Sequence, residues 1–531
     1  MVIHPPKPIQ ENMKDCSHLF CLLLISCTIP VLVLKIVIHL WWTPRKIGNH
    51  FKKQGIKGPN YQLLLGNMKE LASLNSIASS QSMPFSHNIV PRVLSFYHHW
   101  KKIYGSMFVV WFGPTPRLTV SDPALVREIF VLKSELFEKN ESPQLLRKIE
   151  GDGLLSLRGE KWAHHRKIIQ PTFHTENLKL MIPMMAESME QALMGLSEKM
   201  SDLGKFEINV PNWFKNIVEH VITKVTFGSS FEDGRAIFEL LAQQLCHSNE
   251  AYQKFFVPGY RYLPTEKNRK CWGLEKEIRK SLLKLIDERR KATTRCELNE
   301  CPNDLLEVMI KACRKGSEEL SHSRITPDDI VEECKTIFFA GLHTTSNLLT
   351  WATVLLAMHP QWQEQAREEV LRVCGSRDTP TKHDLPKLKI MGMILNESLR
   401  LYPPAVAIIR RAEVDTQLGN LHILRGTELL IPILAIHHDS TLWRHDVHEF
   451  NPARFIKGVA HAAKHPMAFM PFGLGARRCI GQNLAILQAK LAVAMILQRF
   501  SFELSPFYQH SPSVQMLLHP QHGAPIVFRK L

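Results

Sequence analysis

Near the C-terminus, in the run PFGLGARRCIGQNLAILQAKL, Cys479 lies between glycines, two residues after Arg477 and just before an amphipathic stretch opening near Gln482. A helix N-terminus, backbone N–H groups and neighbouring cations all favour thiolate over thiol. A stable thiolate is a nucleophile or a metal ligand. As a nucleophile it needs a base nearby, which the sequence neither supplies nor excludes. As a ligand to haem iron it pushes electron density towards O–O cleavage. A lone Cys among glycines also reads as an incidental structural thiol. A second locus is FFAGLHTTSN, where Gly341, Thr344 and Thr345 are poor choices for a buried helix and therefore mark a functional segment. A third is NESLRLYPP, where Glu397 and Arg400 are spaced i, i+3 and face one way on a helix.

The elements that must position these residues are mostly helical. Thr326-Pro327-Asp328-Asp329 predicts a helix start: a capping Thr, Pro at the first helical position and acids against the positive helix end. Apolar residues continue to Met358, so the predicted helix spans about 48 Å at 1.5 Å per residue and crosses a whole domain. It is apolar on most faces and so predicted to be buried. Strand-like runs are short: MFVVWFG at Met107–Gly113 and LLIPIL at Leu429–Leu434. The Ser-rich segment Leu71 to Asn88 reads as a surface loop. The expected class is mainly α with a minor β-sheet.

The 531 residues are 45% hydrophobic and 22% charged, a globular composition that excludes disordered, collagenous and multi-span membrane chains. Eleven Cys, odd in number and without repeating spacing, argue against a disulfide scaffold and for a reducing surrounding. The net charge of +16 admits nucleic acid, a membrane surface or an acidic partner. No RNA-binding signature, paired CxxC or continuous Lys/Arg run supports nucleic acid. Leu19 to Trp42 is long enough to span a bilayer and ends on Trp41-Trp42, which suits an interfacial aromatic belt. Thr43 to Asn60 then carries Arg45, Lys46, Lys52, Lys53 and Lys57 with no acid. The expected layout is a short lumenal N-terminus over 1–18, a single anchor over 19–42, a basic Pro/Gly hinge over 43–60 and a cytosolic catalytic domain over 61–531.

Phe472, Gly475, Arg477, Cys479 and Gly481 fit F-x-x-G-x-R-x-C-x-G, the haem-binding loop of the cytochrome P-450 superfamily. Glu397 and Arg400 match its E-x-x-R pair, NPARF at Asn451–Phe455 its P-x-R-F element with Arg454, and WAHHR at Trp162–Arg166 its W-x-x-x-R element. The chain resembles that superfamily from about Gly58 to Leu531. The resemblance implies its fold, haem b (iron protoporphyrin IX) with Cys479 as axial iron ligand, and Trp162, Arg166, Arg410 and Arg477 around the propionates, Arg410 being chosen over Arg411. It implies that Arg454 joins Glu397 and Arg400 in a buried charge cluster. AGLHTT resembles the oxygen-activation motif, with Gly341 letting the helix open and Thr344 bonding the activated oxygen or a proton-delivering water. His343 stands where an acid is usual; imidazole also relays protons near neutral pH.

Electrons then come, by the same resemblance, from a membrane-bound NADPH-dependent reductase, with Lys161, Arg166, Lys167 and Arg478 as candidates for its docking face and the endoplasmic reticulum membrane as the expected location. Longer runs, among them SNLLTWATVLLAMHPQWQEQAREEVLRVCGSRDTPTK and the closing MLLHPQHGAPIVF, resemble the plant clan numbered 72 and within it family 734. That implies O₂-dependent hydroxylation of a lipophilic brassinosteroid at side-chain carbon 26. The loop before Trp162, the segment Ala405–Ile409 with Val406 and Ile408, and Ala340 are the expected pocket lining. Two alternatives stay open: hydroxylation of another steroid or a triterpenoid, and a haem-thiolate isomerase, dehydratase or ligand carrier that uses no O₂.

Overall fold

The computed structural model describes residues 26, 28–140, 144–200, 204–253, 263–295, 304–315, 325–375 and 377–531. Its central element is the helix Pro327–Met358, which starts as the sequence predicts. Thr326 Oγ1 accepts from the Asp329 N–H at 3.2 Å, and Asp329 Oδ2 accepts from the Thr326 N–H at 2.9 Å. This reciprocal box satisfies two backbone donors that a helix start otherwise leaves bare. From Ile330 to Ala357 most of its side chains are buried. The helices Val210–Phe227, Lys389–Leu401 and Gln482–Arg499 pack against it, so the C-terminal cysteine run and the Glu397 helix lean on the same rod.

Five strands form the larger sheet, in the order Val109–Phe112, Thr115–Thr119, Glu428–Ile431, Ile408–Ala412, Phe137–Lys139. Only the Thr115–Thr119 and Glu428–Ile431 pair is parallel. The last pairing sets Arg410 opposite Lys139 and Arg411 opposite Glu138. Strand alternation then buries Arg410 and leaves Arg411 exposed. A three-stranded sheet joins Lys205–Asn209, Pro525–Lys530 and Phe500–Leu504. LLIPIL is only partly strand: Pro432 has no N–H to donate, and the chain turns into the short helix Ile433–His437.

One expectation is corrected. The Ser-rich segment is not all loop, because Met68–Ser80 is helical. Leu71, Leu74, Asn75, Ala78 and Ser79 repeat at helical spacing and form its half-buried face. Arg92 then gathers the carbonyls of Ala78, Ser79 and Gln81 at 3.1, 3.0 and 2.6 Å, holding the helix end with a cation where the helix dipole favours one. At the N-terminus, helix runs through 28–37, a wider turn at Ile38–Trp42, and Thr43–Lys53. Ile29, Leu32, Leu34, Trp41 and Trp42 stand exposed, and Arg45 lies over the Trp41 ring at 4.1 Å. No helix among the described residues is long and apolar enough to cross a membrane. Residues 1–18 and the first part of the expected anchor, 19–25, lie outside the described residues.

Candidate active site

The cysteine loop is held by its backbone. The Cys479 N–H donates to the Phe472 carbonyl at 2.9 Å, closing the loop just before the helix Gln482–Arg499. Gly475 has φ +66°, and a Cβ there would sit 1.9 Å from the Phe130 carbonyl oxygen, so only glycine fits. A Cβ on Gly481 would reach the Cys479 sulfur at 4.0 Å. The thiol is exposed, and a groove lined by Arg166, Phe173, His174, Arg478 and Asn483 reaches it. Burial among protein atoms nevertheless pushes this thiol up, against the opposing pull of the Gly481 and Gln482 N–H groups and of Arg166 and Arg478. The donors that the sequence expects around the thiol are present, and burial opposes them. A metal cation is the partner that reverses such a balance.

On one side of the loop the cations crowd together. Arg477 lies over the Trp162 ring at 4.2 Å and Arg166 over the same ring at 5.6 Å, because Trp162 and Arg166 are one turn apart on the helix Gly159–Ile169. Arg477 Nη1 donates to the Leu157 carbonyl at 2.9 Å. Its Nη2 is 2.5 Å from Glu138 Oε1 but is not aligned for a hydrogen bond. Arg410 is 7% exposed, lies over the Phe130 ring at 4.7 Å, and bonds the carbonyl of Ile409 at 3.0 Å. Burial and then the charge of Arg477 bring it down to about 10. Lys139, bonded to the Leu155 carbonyl, is brought down to about 8 by burial and by Arg410 and Arg477, with Glu150 and Glu138 opposing. Arg410, Arg477 and Lys139 thus outweigh the carboxylates they share. A buried group of this kind calls for an anion, and the two propionates of haem supply that charge beside a thiolate ligand. Trp162, Arg166, Arg410, Arg477 and Cys479 fit haem, with Phe472, Gly475 and Gly481 shaping the loop.

The Glu397 cluster is complete in itself. Arg400 Nε and Nη2 bind Glu397 Oε2 and Oε1 at 2.7 and 2.8 Å, and both side chains are fully buried. Arg454 Nε joins at 3.2 Å, and Asp446 takes Arg454 Nη1 at 2.8 Å. The carbonyls of His437, Val447 and Glu449 accept the remaining Arg400 donors at 3.0, 2.8 and 3.2 Å.

Along the long helix, Ala340, Gly341, His343 and Thr344 are half-exposed in an otherwise buried stretch. Three local observations stand beside the expected roles. The helix is unbroken from Pro327 to Met358, and Gly341 serves a close crossing: a Cβ would meet Ile222 Cδ1 at 2.9 Å. The Thr344 hydroxyl donates back to the Ala340 carbonyl at 2.7 Å, so towards the site its oxygen is an acceptor. Burial, then Lys215 and His519, bring His343 down to about 4, and its Nε2 has no partner among the described residues. At neutral pH it is an uncharged imidazole rather than a stored proton. Ile408 stands over the loop, 3.7 Å from where a Gly473 Cβ would lie, and Val406 is buried with its carbonyl accepting from Leu434 at 3.0 Å.

Sequence reasoning missed Glu138, Lys139 and Phe130, whose roles follow from strand register and from the turn at Glu128–Leu132. It also missed the buried pair His165 Nδ1–Glu333 Oε1 at 2.6 Å, which ties the Trp162 helix to the long helix. Glu333 Oε2 further accepts the Leu154 N–H at 3.0 Å, fixing the loop before Trp162. The visible signal was an acid and a histidine inside apolar helix faces.

A sequence profile described as "Cytochrome P450" matches residues 84–527. The chain is 60% identical over 513 residues to "Cytochrome P450 734A1" of Arabidopsis thaliana, covering 96% of each. It is 55% identical over 506 residues to "Cytochrome P450 734A6" of Oryza sativa subsp. japonica, covering 93% of each. With "Cytochrome P450 72A397" of Kalopanax septemlobus it shares 40% over 501 residues, 94% of this chain and 95% of the relative. The chain belongs to the cytochrome P450 family, the haem-thiolate monooxygenases supplied with electrons by a redox partner.

Proposed function

We propose that this monooxygenase hydroxylates the brassinosteroid side chain at carbon 26, inactivating the hormone, as a single-pass protein of the endoplasmic reticulum membrane with its catalytic domain in the cytosol. The observation that carries the reading is the 60% identity, over nearly the full length, to a relative named within family 734, the family that the sequence motifs resemble. Electrons are supplied by an NADPH-dependent reductase. Arg478 and Arg166 line the groove that reaches Cys479, and Lys167 is exposed next to Arg166 in the chain, which favours an acidic partner there; Lys161 is already paired with Asp329 at 2.6 Å.

When bound, haem held by a thiolate supplies the electron push that favours O–O cleavage. Cys479 is the ligand, and Arg410, Arg477 and Trp162 orient the propionate edge. Thr344, its own proton committed to Ala340, accepts a hydrogen bond from the water that delivers protons. His343 takes part only as a neutral imidazole, accepting on one nitrogen as it donates from the other. Ala340, Val406 and Ile408 present apolar surface to a steroid-sized ligand.

The test is NADPH-dependent turnover in microsomes containing this protein and a plant reductase, given castasterone, brassinolide and a triterpenoid panel, with products read by mass spectrometry. One oxygen gained at the brassinosteroid side-chain terminus is the expected product. No brassinosteroid product from haem-loaded protein overturns the substrate reading, and turnover of a triterpenoid alone replaces it.

A further inference from the structure

Four separate stretches of the chain meet in a buried cluster that the reaction above does not use. Trp351 lies seven residues beyond Thr344 on nearly the same face of the long helix, about 10.5 Å along its axis. Its ring stacks on Tyr402 with centroids 4.2 Å apart and planes inclined by 14°. The Tyr402 hydroxyl lies 2.8 Å from His87 Nδ1 and 3.2 Å from His510 Nε2. His510 Nδ1 lies 2.9 Å from the hydroxyl of Tyr508. Tyr508 is half-buried, and the exposed Phe85 ring meets it edge-on, so the cluster ends at the surface.

Packing alone gives no reason for this composition. Trp351 and Tyr402 are 0% and 1% exposed, and apolar rings of the same size would fill the space without polar atoms to satisfy. Trp351 Nε1 has no partner among the described residues. Indole and phenol are among the side chains most readily oxidised by one electron without a metal. A phenol gives up an electron far more easily when its proton can leave at the same moment. Burial holds His87 down to about 3 and His510 down to about 4, so neither imidazole keeps an added proton. A proton leaving Tyr402 must pass through rather than stop. With His510 carrying its proton on Nδ1, the Tyr402 O–H donates to Nε2 and Nδ1–H donates to Tyr508, a line pointing outward.

We propose that Trp351, Tyr402, His510 and Tyr508 form an escape route for oxidising equivalents, each passage drawing one of the two equivalents from a haem that has been oxidised without a substrate to attack. The Trp351–Tyr402 pair would give up one electron to the oxidised haem. Tyr402 loses that electron and its proton and becomes a neutral tyrosyl radical. The proton moves to His510 Nε2 as the Nδ1 proton moves to Tyr508 oxygen and the Tyr508 hydroxyl proton leaves to solvent. A soluble thiol then returns one hydrogen atom along the same line. The oxidant is the haem's own oxidised form, produced in the family's reaction with O₂ or directly by a peracid. The inference needs no steroid and stands whether or not the substrate reading holds.

The test uses the full-length haem-loaded protein without substrate, mixed with a peracid, frozen rapidly and read by electron paramagnetic resonance. A tyrosyl signal is expected, and its splitting should collapse in protein grown on ring-deuterated tyrosine. Tyr402→Phe removes one oxygen atom and should abolish the signal, while Tyr97→Phe, a buried tyrosine beside Phe108, should keep it. The carbon monoxide spectrum and Tm of each variant verify that haem and fold are intact. Should Tyr402→Phe lose haem, Tyr508→Phe at the half-buried end decides, with a fall in radical yield expected because the proton exit is blocked. No tyrosyl signal in the unmodified protein, or an undiminished one in Tyr402→Phe or Tyr508→Phe, overturns the proposal.

Discussion

Two of the charge groups shielded from solvent in this molecule are built on opposite principles. In the Glu397–Arg400–Arg454 cluster the carboxylate binds both guanidiniums, and carbonyls or Asp446 take the other donors. In the Arg410–Arg477–Lys139 group the cations depress one another, one Arg477 nitrogen lacks alignment with its carboxylate, and positive charge is left over. The first group is closed and serves the fold. The second is less deeply buried and open towards something anionic, and that openness separates a binding site from a scaffold. Completeness of pairing, rather than burial, is the quantity to compare.

The comparison breaks most visibly if the closed cluster tolerates damage. Glu397→Gln leaves two guanidiniums without their shared anion and should cost about 3–5 kcal/mol, read as a fall in urea midpoint and loss of soluble protein. The open group should respond in the opposite sense. Arg410→Met relieves crowding, so the haem-free protein should keep its stability to within about 1 kcal/mol while haem is lost faster to a competing apoprotein. If Arg410→Met destabilises as much as Glu397→Gln, the distinction between the two groups is wrong.

Smaller effects probe the long helix beside them. Thr344→Ala should retain haem and melt at nearly the same temperature, because its hydroxyl serves only its own helix, yet yield less product per NADPH. Unchanged product per NADPH would contradict the proposed acceptor role. His343→Gln should leave the shape of the pH–coupling profile between pH 6 and 8 unaltered, since His343 titrates at about 4. Loss of an inflection in that window would restore a charged relay. His343, His510, His87 and His437 all have their values lowered by burial, to between about 3 and about 4, so the unfolded chain binds their protons first. Stability should therefore be full above about pH 6.5 and fall as the pH drops from there towards 4.

What the sequence made legible was local chemistry. The loop around Cys479, the start at Thr326–Asp329 and the i, i+3 pair Glu397/Arg400 are each written in a few adjacent residues, and each is found in the structure. Contacts between distant segments were legible only where the family resemblance joined motifs, as for Arg454 with Glu397 and Trp162 with Arg477. Nothing near Arg410 announces Lys139, and only the strand register brings them together. Met68–Ser80 looked like loop because its serines outweighed a helical spacing whose decisive support, Arg92, comes from further along the chain. For Gly341, Thr344 and His343 the residue types pointed to the right segment, while their behaviour depended on Ile222, on the Ala340 carbonyl and on the depth of burial.

The 1.9 Å approach of a Cβ at Gly475 to the Phe130 oxygen also has a mechanical consequence. The turn at Glu128–Leu132 acts as an end-stop for the cysteine loop, and glycine is the zero-clearance part that lets the loop seat against it. Adding one methyl group would wedge the seat open and lift the loop, although the thiol itself is chemically unchanged. The position of the sulfur is thus machined partly by a peptide some 350 residues upstream, whose side chain meanwhile supports Arg410. A fault at that peptide should reach both the thiolate and the propionate ends of the site together.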